Sequence, residues 1–105
     1  MPLTRDFRET VLKNMRERKG FREAMLQEGI SSLLAGELDL GKEILRDYIN
    51  ATIGFEKLSR KVDVPVKSLM RMFGPSGNPQ AKNLFAVIAA LQKDSGIALQ
   101  VMAAE

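Results

Sequence analysis

Gly54-Phe55-Glu56-Lys57-Leu58-Ser59-Arg60-Lys61-Val62-Asp63-Val64-Pro65-Val66-Lys67-Ser68-Leu69-Met70-Arg71-Met72-Phe73 is the stretch that decides the fold of this chain. Its apolar spacing gives two short helices meeting at a steep angle around Val62-Asp63-Val64-Pro65. Gly54 serves as the cap of the first, Leu58 faces inward, and Ser59 is small enough to admit a close neighbour. Val62 and Val64 flank the turn and point to the core, while Asp63 tolerates the left-handed or bridging backbone that such a turn needs, though less easily than glycine. Pro65 starts the second helix. On it Leu69, Met72 and Phe73 share one face, and Lys67, Met70 and Arg71 share another at i, i+3 and i+4. One side is built to be buried and the other carries two long cations.

Outward from that centre the periodicity stays helical. Thr4 caps a helix over residues 5–19 with Phe7, Val11 and Met15 inward and Gly20 as its stop. A second helix covers 21–35, with Leu26, Ile30, Leu33 and Leu34 as its stripe. Asp39 caps a third, which buries Leu40, Ile44, Leu45, Tyr48 and Ile49. After Phe73, Gly74-Pro75-Ser76-Gly77-Asn78-Pro79 is written in turn residues. Asn78 then caps a helix with Pro79 at its first position, Leu84, Val87, Ile88 and Leu91 inward, and Ser95-Gly96 at its end. Residues 97–102 place larger apolar side chains at alternate positions, as a short strand does. With no second strand in the chain, it pairs with another copy, waits for a strand of another protein, or lies flat on its own helices. The expectation is an all-α, single-domain protein over 1–105, with N-terminal helices over 1–37, a core over 38–94 and a dimerisation strand over 97–102.

Composition removes whole classes of chemistry. The 105 residues include no Cys, His or Trp. Disulfide scaffolds, thiol nucleophiles, Cys/His zinc sites and His-dependent triads are therefore excluded. A general base would have to be Asp, Glu, Lys or Tyr48, and a metal site would be all carboxylate. Asp39, Glu43 and Asp47 recur at i, i+4 and i+8, but opposite an apolar stripe they read as a solvated face. Gly74 and Gly77 lack the Lys-Ser/Thr ending of a phosphate loop. The sequence carries no cofactor or metal signature and does not read as an enzyme. It also lacks an apolar run of the roughly 18 residues that would span a membrane, and its N-terminus is not laid out as a signal peptide. A cytoplasmic protein is the expectation.

Charge is unevenly placed. Residues 1–53 hold nine Lys/Arg against nine Asp/Glu. Residues 54–82 hold Lys57, Arg60, Lys61, Lys67, Arg71 and Lys82 against Glu56 and Asp63, a net of +4. Such a block suits a polyanion. The cations of the N-terminal arm, Arg5, Arg8, Lys13, Arg16, Arg18, Lys19 and Arg22, alternate with acids and read as a salt-bridged face. A two-faced helix with exposed Lys and Arg has the form that enters a major groove. There Arg bridges two acceptors of a guanine edge and an apolar side chain covers a thymine methyl. An ordinary helical hairpin with a basic surface, binding only protein, is the competing reading.

The run from Ile53 to Leu91 resembles the Cro/cI-like helix-turn-helix family: Leu58-Ser59, Val62-Asp63-Val64 and Leu69-Met70-Arg71, then Asn78-Pro79 and Leu84-Phe85-Ala86-Val87-Ile88-Ala89-Ala90-Leu91. Two stretches narrow the likeness: Arg46-Asp47-Tyr48-Ile49-Asn50-Ala51-Thr52-Ile53-Gly54-Phe55-Glu56 and Lys67-Ser68-Leu69-Met70-Arg71-Met72-Phe73-Gly74-Pro75-Ser76-Gly77-Asn78-Pro79. These are similar to the bacterial addiction-module antidotes, antitoxins that neutralise a small ribonuclease-like toxin and repress their own operon. Gly54-Phe55 stands where the broad family often has Thr-Gln, and Asp63 replaces the turn glycine. The resemblance implies an antitoxin that binds operator DNA, with a stand-alone repressor as the alternative. The expected DNA-facing set is Lys57, Val66, Lys67, Ser68, Met70 and Arg71, with Ser76 and Asn78 from the loop. A homodimer is expected, through Phe85 of the last helix and Ile97, Leu99 and Val101 of the strand.

Overall fold

The computed structural model describes residues 18–104 together with Glu9, Thr10 and Lys13, which have helical backbone. The remainder of the helix expected over 5–19 lies outside the described residues. Five helices follow: α1 (Lys19–Leu34), α2 (Leu38–Ala51), α3 (Phe55–Val62), α4 (Val66–Met72) and α5 (Ala81–Ser95). The fold is all-α, and none of these helices is long and apolar enough to cross a membrane.

The helices bury most of the stripe that their sequences write. In α2, Gly41, Lys42, Leu45, Tyr48 and Ile49 fall on one side at helical spacing. Leu26 of α1, Leu58 of α3, Leu69 and Met72 of α4, and Val87 and Leu91 of α5 converge on that side with Phe55 and Phe73 to form one core. α1 packs along α2, and α3 packs on both α4 and α5. The α1–α2 approach needs two bare backbones. A Cβ at Gly29 would sit 2.9 Å from Leu45 Cδ2, and one at Gly41 would sit 2.6 Å from Leu33 Cδ2. The Phe55 and Phe73 rings meet with centroids 6.3 Å apart and planes inclined at 53°, tying the start of α3 to the end of α4.

Several boundaries differ from the sequence reading. Gly20 is not a stop: it lies inside α1, and the break falls at Arg18, whose backbone is extended (φ −122°, ψ 112°). With no positive φ demanded of it, Gly20 is carried within the first turn at only its modest propensity cost. Glu37, not Asp39, takes the N-cap position of α2, and Asp39 sits in the first turn, where a negative charge suits the helix dipole. Neither Asn78 nor Pro79 begins α5. Gln80 is its N-cap, because the chain from 74 to 79 is held as an irregular loop. Pro65 likewise precedes α4 as its N-cap, with extended ψ of 144°. Leu34 and Leu40 are exposed rather than buried, since each lies at the open corner between α1 and α2.

The strand expected over 97–102 does not form in this chain. Leu99 N–H donates to the Gln92 side-chain oxygen at 2.9 Å, and Ile97 N–H donates to Ser95 Oγ at 3.1 Å. Those bonds lay Ile97 and Leu99 against the core, while Val101 and Met102 stay exposed. Alternation here serves a segment lying flat on its own helices. Gly96 makes the turn possible with φ 74° and ends α5, as its sequence predicts.

Among the described residues, Tyr48 is fully buried and carries a polar atom, its hydroxyl, without a hydrogen-bond partner. Burial pushes its pKa above the usual 10.0. The Ser95 side chain and the Arg22 charge oppose that rise, and the Asp94 charge adds to it. Ser95 Oγ, however, already donates to Gln92 O at 3.2 Å and accepts from Ile97 N–H.

Candidate nucleic-acid interface

The turn between α3 and α4 is built by three groups. Asp63 holds the left-handed conformation (φ 56°, ψ 47°) that ends α3. The Ser59 carbonyl accepts from Asp63 N–H and from Val64 N–H, the latter at 3.3 Å, and so closes the helix end. The Ser59 hydroxyl in turn donates to Val64 O at 2.6 Å. Ser59 is thus more than a small residue at a close contact: it bonds both polar groups of Val64. Val62, Val64 and Val66 pack partly buried against the core on this side.

This turn fixes which way α4 faces. Leu69 is fully buried and Met72 nearly so, whereas Lys67, Met70 and Arg71 are exposed, Met70 with 53% of its surface free. An exposed methionine flanked by two cations is an unusual use of an apolar side chain on a helix this short. Val66 and Ser68 are half-buried at the sides of the helix.

Beyond α4 the chain turns back at Gly74 and Gly77. Gly74 N–H donates to Arg71 O, and Gly77 N–H donates to Gly74 O, both at 3.1 Å. A Cβ at Gly77 would press into Arg71 O and lie 2.7 Å from Met72 O, so only glycine lets the loop close on the helix end. Ser76 and Asn78 are exposed on this loop. With Ser68, Arg71, Gln80 and Asn83 they line a single open hollow beside α4. Four residues of the expected DNA-facing set, Ser68, Arg71, Ser76 and Asn78, therefore share one surface. Gln80 and Asn83 join it unforeseen. Asn83 carried a signal, lying one turn into a helix whose start borders the loop.

Lys57 belongs elsewhere. Its ammonium lies 3.9 Å from the carboxylate of Asp94 on α5, so its charge is partly spent inside the fold. Of the expected dimer residues, Phe85 is 66% and Val101 78% exposed, whereas Ile97 and Leu99 are engaged by the core. Asp39 and Glu43 are exposed and Asp47 is half-buried.

The residue that sequence reasoning missed is Lys42. Only 2% of its surface is exposed, and its Nζ donates to Gly74 O at 2.9 Å and to Gly77 O at 2.7 Å. Asp39 Oδ1 stands 3.7 Å away but is itself almost fully in water, so the carbonyls are the stronger partners. The signal was positional: Lys42 is three residues before Leu45 and seven before Ile49, on the apolar stripe of α2. No family profile, curated protein or solved structure matches the chain.

Proposed function

We propose that the chain is a sequence-specific DNA-binding regulator of the Cro/cI-like helix-turn-helix type. The division of α4 carries the reading, with Leu69 and Met72 sealed into the core and Lys67, Met70 and Arg71 presented together on the outside. A helix of seven residues with its inner side locked is a rigid probe, and its outer side holds groups suited to a groove. Arg71 reads a base edge, Met70 covers an apolar base surface and Lys67 reaches a base or a phosphate. Ser76 and Asn78 meet the sugar-phosphate backbone from the loop.

Beyond DNA binding, the role proposed is that of a cytoplasmic antitoxin repressing its own operon. This rests on the resemblance of residues 46–56 and 67–79 to the addiction-module antidotes. A ribonuclease-like toxin would then dock away from α4, on the N-terminal helices. The DNA-bound form is proposed as a homodimer, because one short helix reads only a few base pairs and two half-sites lengthen the reading. Phe85, with Val101 and Met102, offers it an apolar contact surface.

The test is binding to a short duplex from upstream of the chain's own reading frame, titrated across salt. Affinity falls steeply with log salt if phosphates are neutralised. Arg71→Ala costs about 1–3 kcal/mol at the preferred sequence and relaxes discrimination there. A folded Lys67→Ala/Arg71→Ala variant that binds like the parent refutes the assignment.

A further inference from the structure

We infer that Lys42 is a positioning residue for the DNA-facing loop, an inference that rests on the DNA-binding reading of that loop. An ammonium removed from water must recover its lost hydration from fixed acceptors, or it destabilises the fold. Lys42 recovers it from two backbone carbonyls, Gly74 O and Gly77 O, that bracket Pro75 and Ser76. Around the entrance to this contact stand Asp39, Glu43 and Arg46 of α2, with Phe73 and Pro75 opposite.

From its other side the same loop presses on the end of α4, where Gly77 meets the carbonyls of Arg71 and Met72. The loop is therefore gripped between α2 and α4. Ser76 and Asn78 are exposed on a backbone held at Gly74 and Gly77. A neutral apolar side chain at 42 would continue the stripe of α2 and leave the loop tied only by its own turn bonds. The cation also lies close to the C-terminal end of α4, where a positive charge suits the helix dipole. Because its side chain is sealed from solvent, Lys42 cannot touch a phosphate. It can act on DNA only through the loop.

Salt separates these two ways of acting. The experiment measures binding of the upstream duplex by the parent, by Lys42→Met, by Ser76→Ala/Asn78→Ala and by the triple variant. Lys42→Met weakens binding about tenfold, the equivalent of one or two lost positioning hydrogen bonds. The slope of log affinity against log salt stays at the parent's value, whereas loss of a direct phosphate contact lowers it by about 1. In the Ser76→Ala/Asn78→Ala background, where nothing remains to be positioned, the same change costs less than about threefold. Parent-like binding by folded Lys42→Met, a reduced slope, or full additivity in the triple variant overturns the inference. If Lys42→Met does not fold, Lys42→Gln, which keeps a polar side chain but loses the charge and the reach of the ammonium, carries the same comparison. A parent that binds no duplex removes the DNA reading and the loop's role with it. Hydrogen exchange at Gly74 and Gly77 then judges the clamp alone, faster by about tenfold in Lys42→Gln if the clamp holds and unchanged if it does not.

Discussion

Gly77→Ala sets two physical effects against each other with opposite signs. Replacing glycine restricts the unfolded chain, and where the native backbone accepts a side chain that stabilises by about 0.4–1 kcal/mol. Gly77 has no positive φ, so backbone conformation alone gives no reason for a penalty. Packing does. The added Cβ would press into Arg71 O and lie 2.7 Å from Met72 O, and both are backbone atoms at the end of α4. The loop must therefore back away. It is held by Lys42 Nζ on Gly77 O at 2.7 Å and by Gly77 N–H on Gly74 O at 3.1 Å. Losing one charge-assisted bond, worth about 1.5–3 kcal/mol, and weakening one neutral bond, worth about 1, gives a cost of about 2–4 kcal/mol. Net of the chain-entropy gain, the variant loses about 1–3.5 kcal/mol. For a domain of this size that lowers Tm by about 4–14 °C. Urea unfolding followed by circular dichroism at an unchanged m-value measures it. Gly20→Ala is the matched control, because its Cβ meets nothing within 4 Å and it lies inside α1. That variant gains about 0.5–1 kcal/mol. A Gly77→Ala protein as stable as the parent would refute the steric account of the loop.

Three further outcomes follow from the same contacts. Asp63→Gly stabilises by about 0.5–1 kcal/mol, because the left-handed φ of 56° is strained for a side chain and free for glycine. Tyr48, the chain's single tyrosine, titrates above the usual 10.0, as absorbance near 295 nm will show. Its raised pKa favours the neutral form in the fold, so its contribution to stability is complete below about pH 10 and is lost as pH rises through the folded value. Phe85→Asp shifts the protein toward monomer in sedimentation and weakens operator binding without altering the unfolding midpoint measured at high dilution.

The helices were legible because each repeats its apolar residues at a helical spacing, and the hairpin at 54–73 because its two faces differ in kind. Val62 and Val64 could be placed at the core from their positions around the turn, and the turn limits Asp63 to a left-handed or bridging backbone, of which it takes the left-handed one. The ends of helices were less legible. Gly20 and Asn78 each have the chemistry of a boundary, yet Gly20 sits within a helix and Asn78 in the loop before one. Boundaries are set by what the flanking backbone bonds to, and the loop at 74–79 is bonded to a residue more than thirty positions away. The C-terminal alternation reads as a strand, and no strand forms there: Ile97 and Leu99 turn to the core while Val101 and Met102 stay exposed. What covers the inner face is the protein's own core, because Gln92 offers Leu99 N–H the acceptor that a partner strand would have supplied.

Charge shows most clearly where a one-dimensional reading stops. Counted by segment, residues 54–82 carry +4, and Asp94 falls outside that segment. In the fold Asp94 lies beside Lys57, so the cation with which the count began is paired with an acid. The remaining surplus is sharper for that loss. Arg71 lies on the hollow beside α4, Lys67 is exposed on the same helix and Lys82 is exposed at the start of α5, just past the loop. Lys42 shows the reverse error. Segment counting treats it as one more solvated charge balancing the acids of residues 1–53, but it is an internal group whose partners are carbonyls. Its position on an apolar stripe could have exposed it, since a lysine there must either break the helix's packing or find acceptors. The acceptors it finds are those of the loop that carries Ser76 and Asn78. The misread charge and the expected contact surface are thereby two ends of one contact.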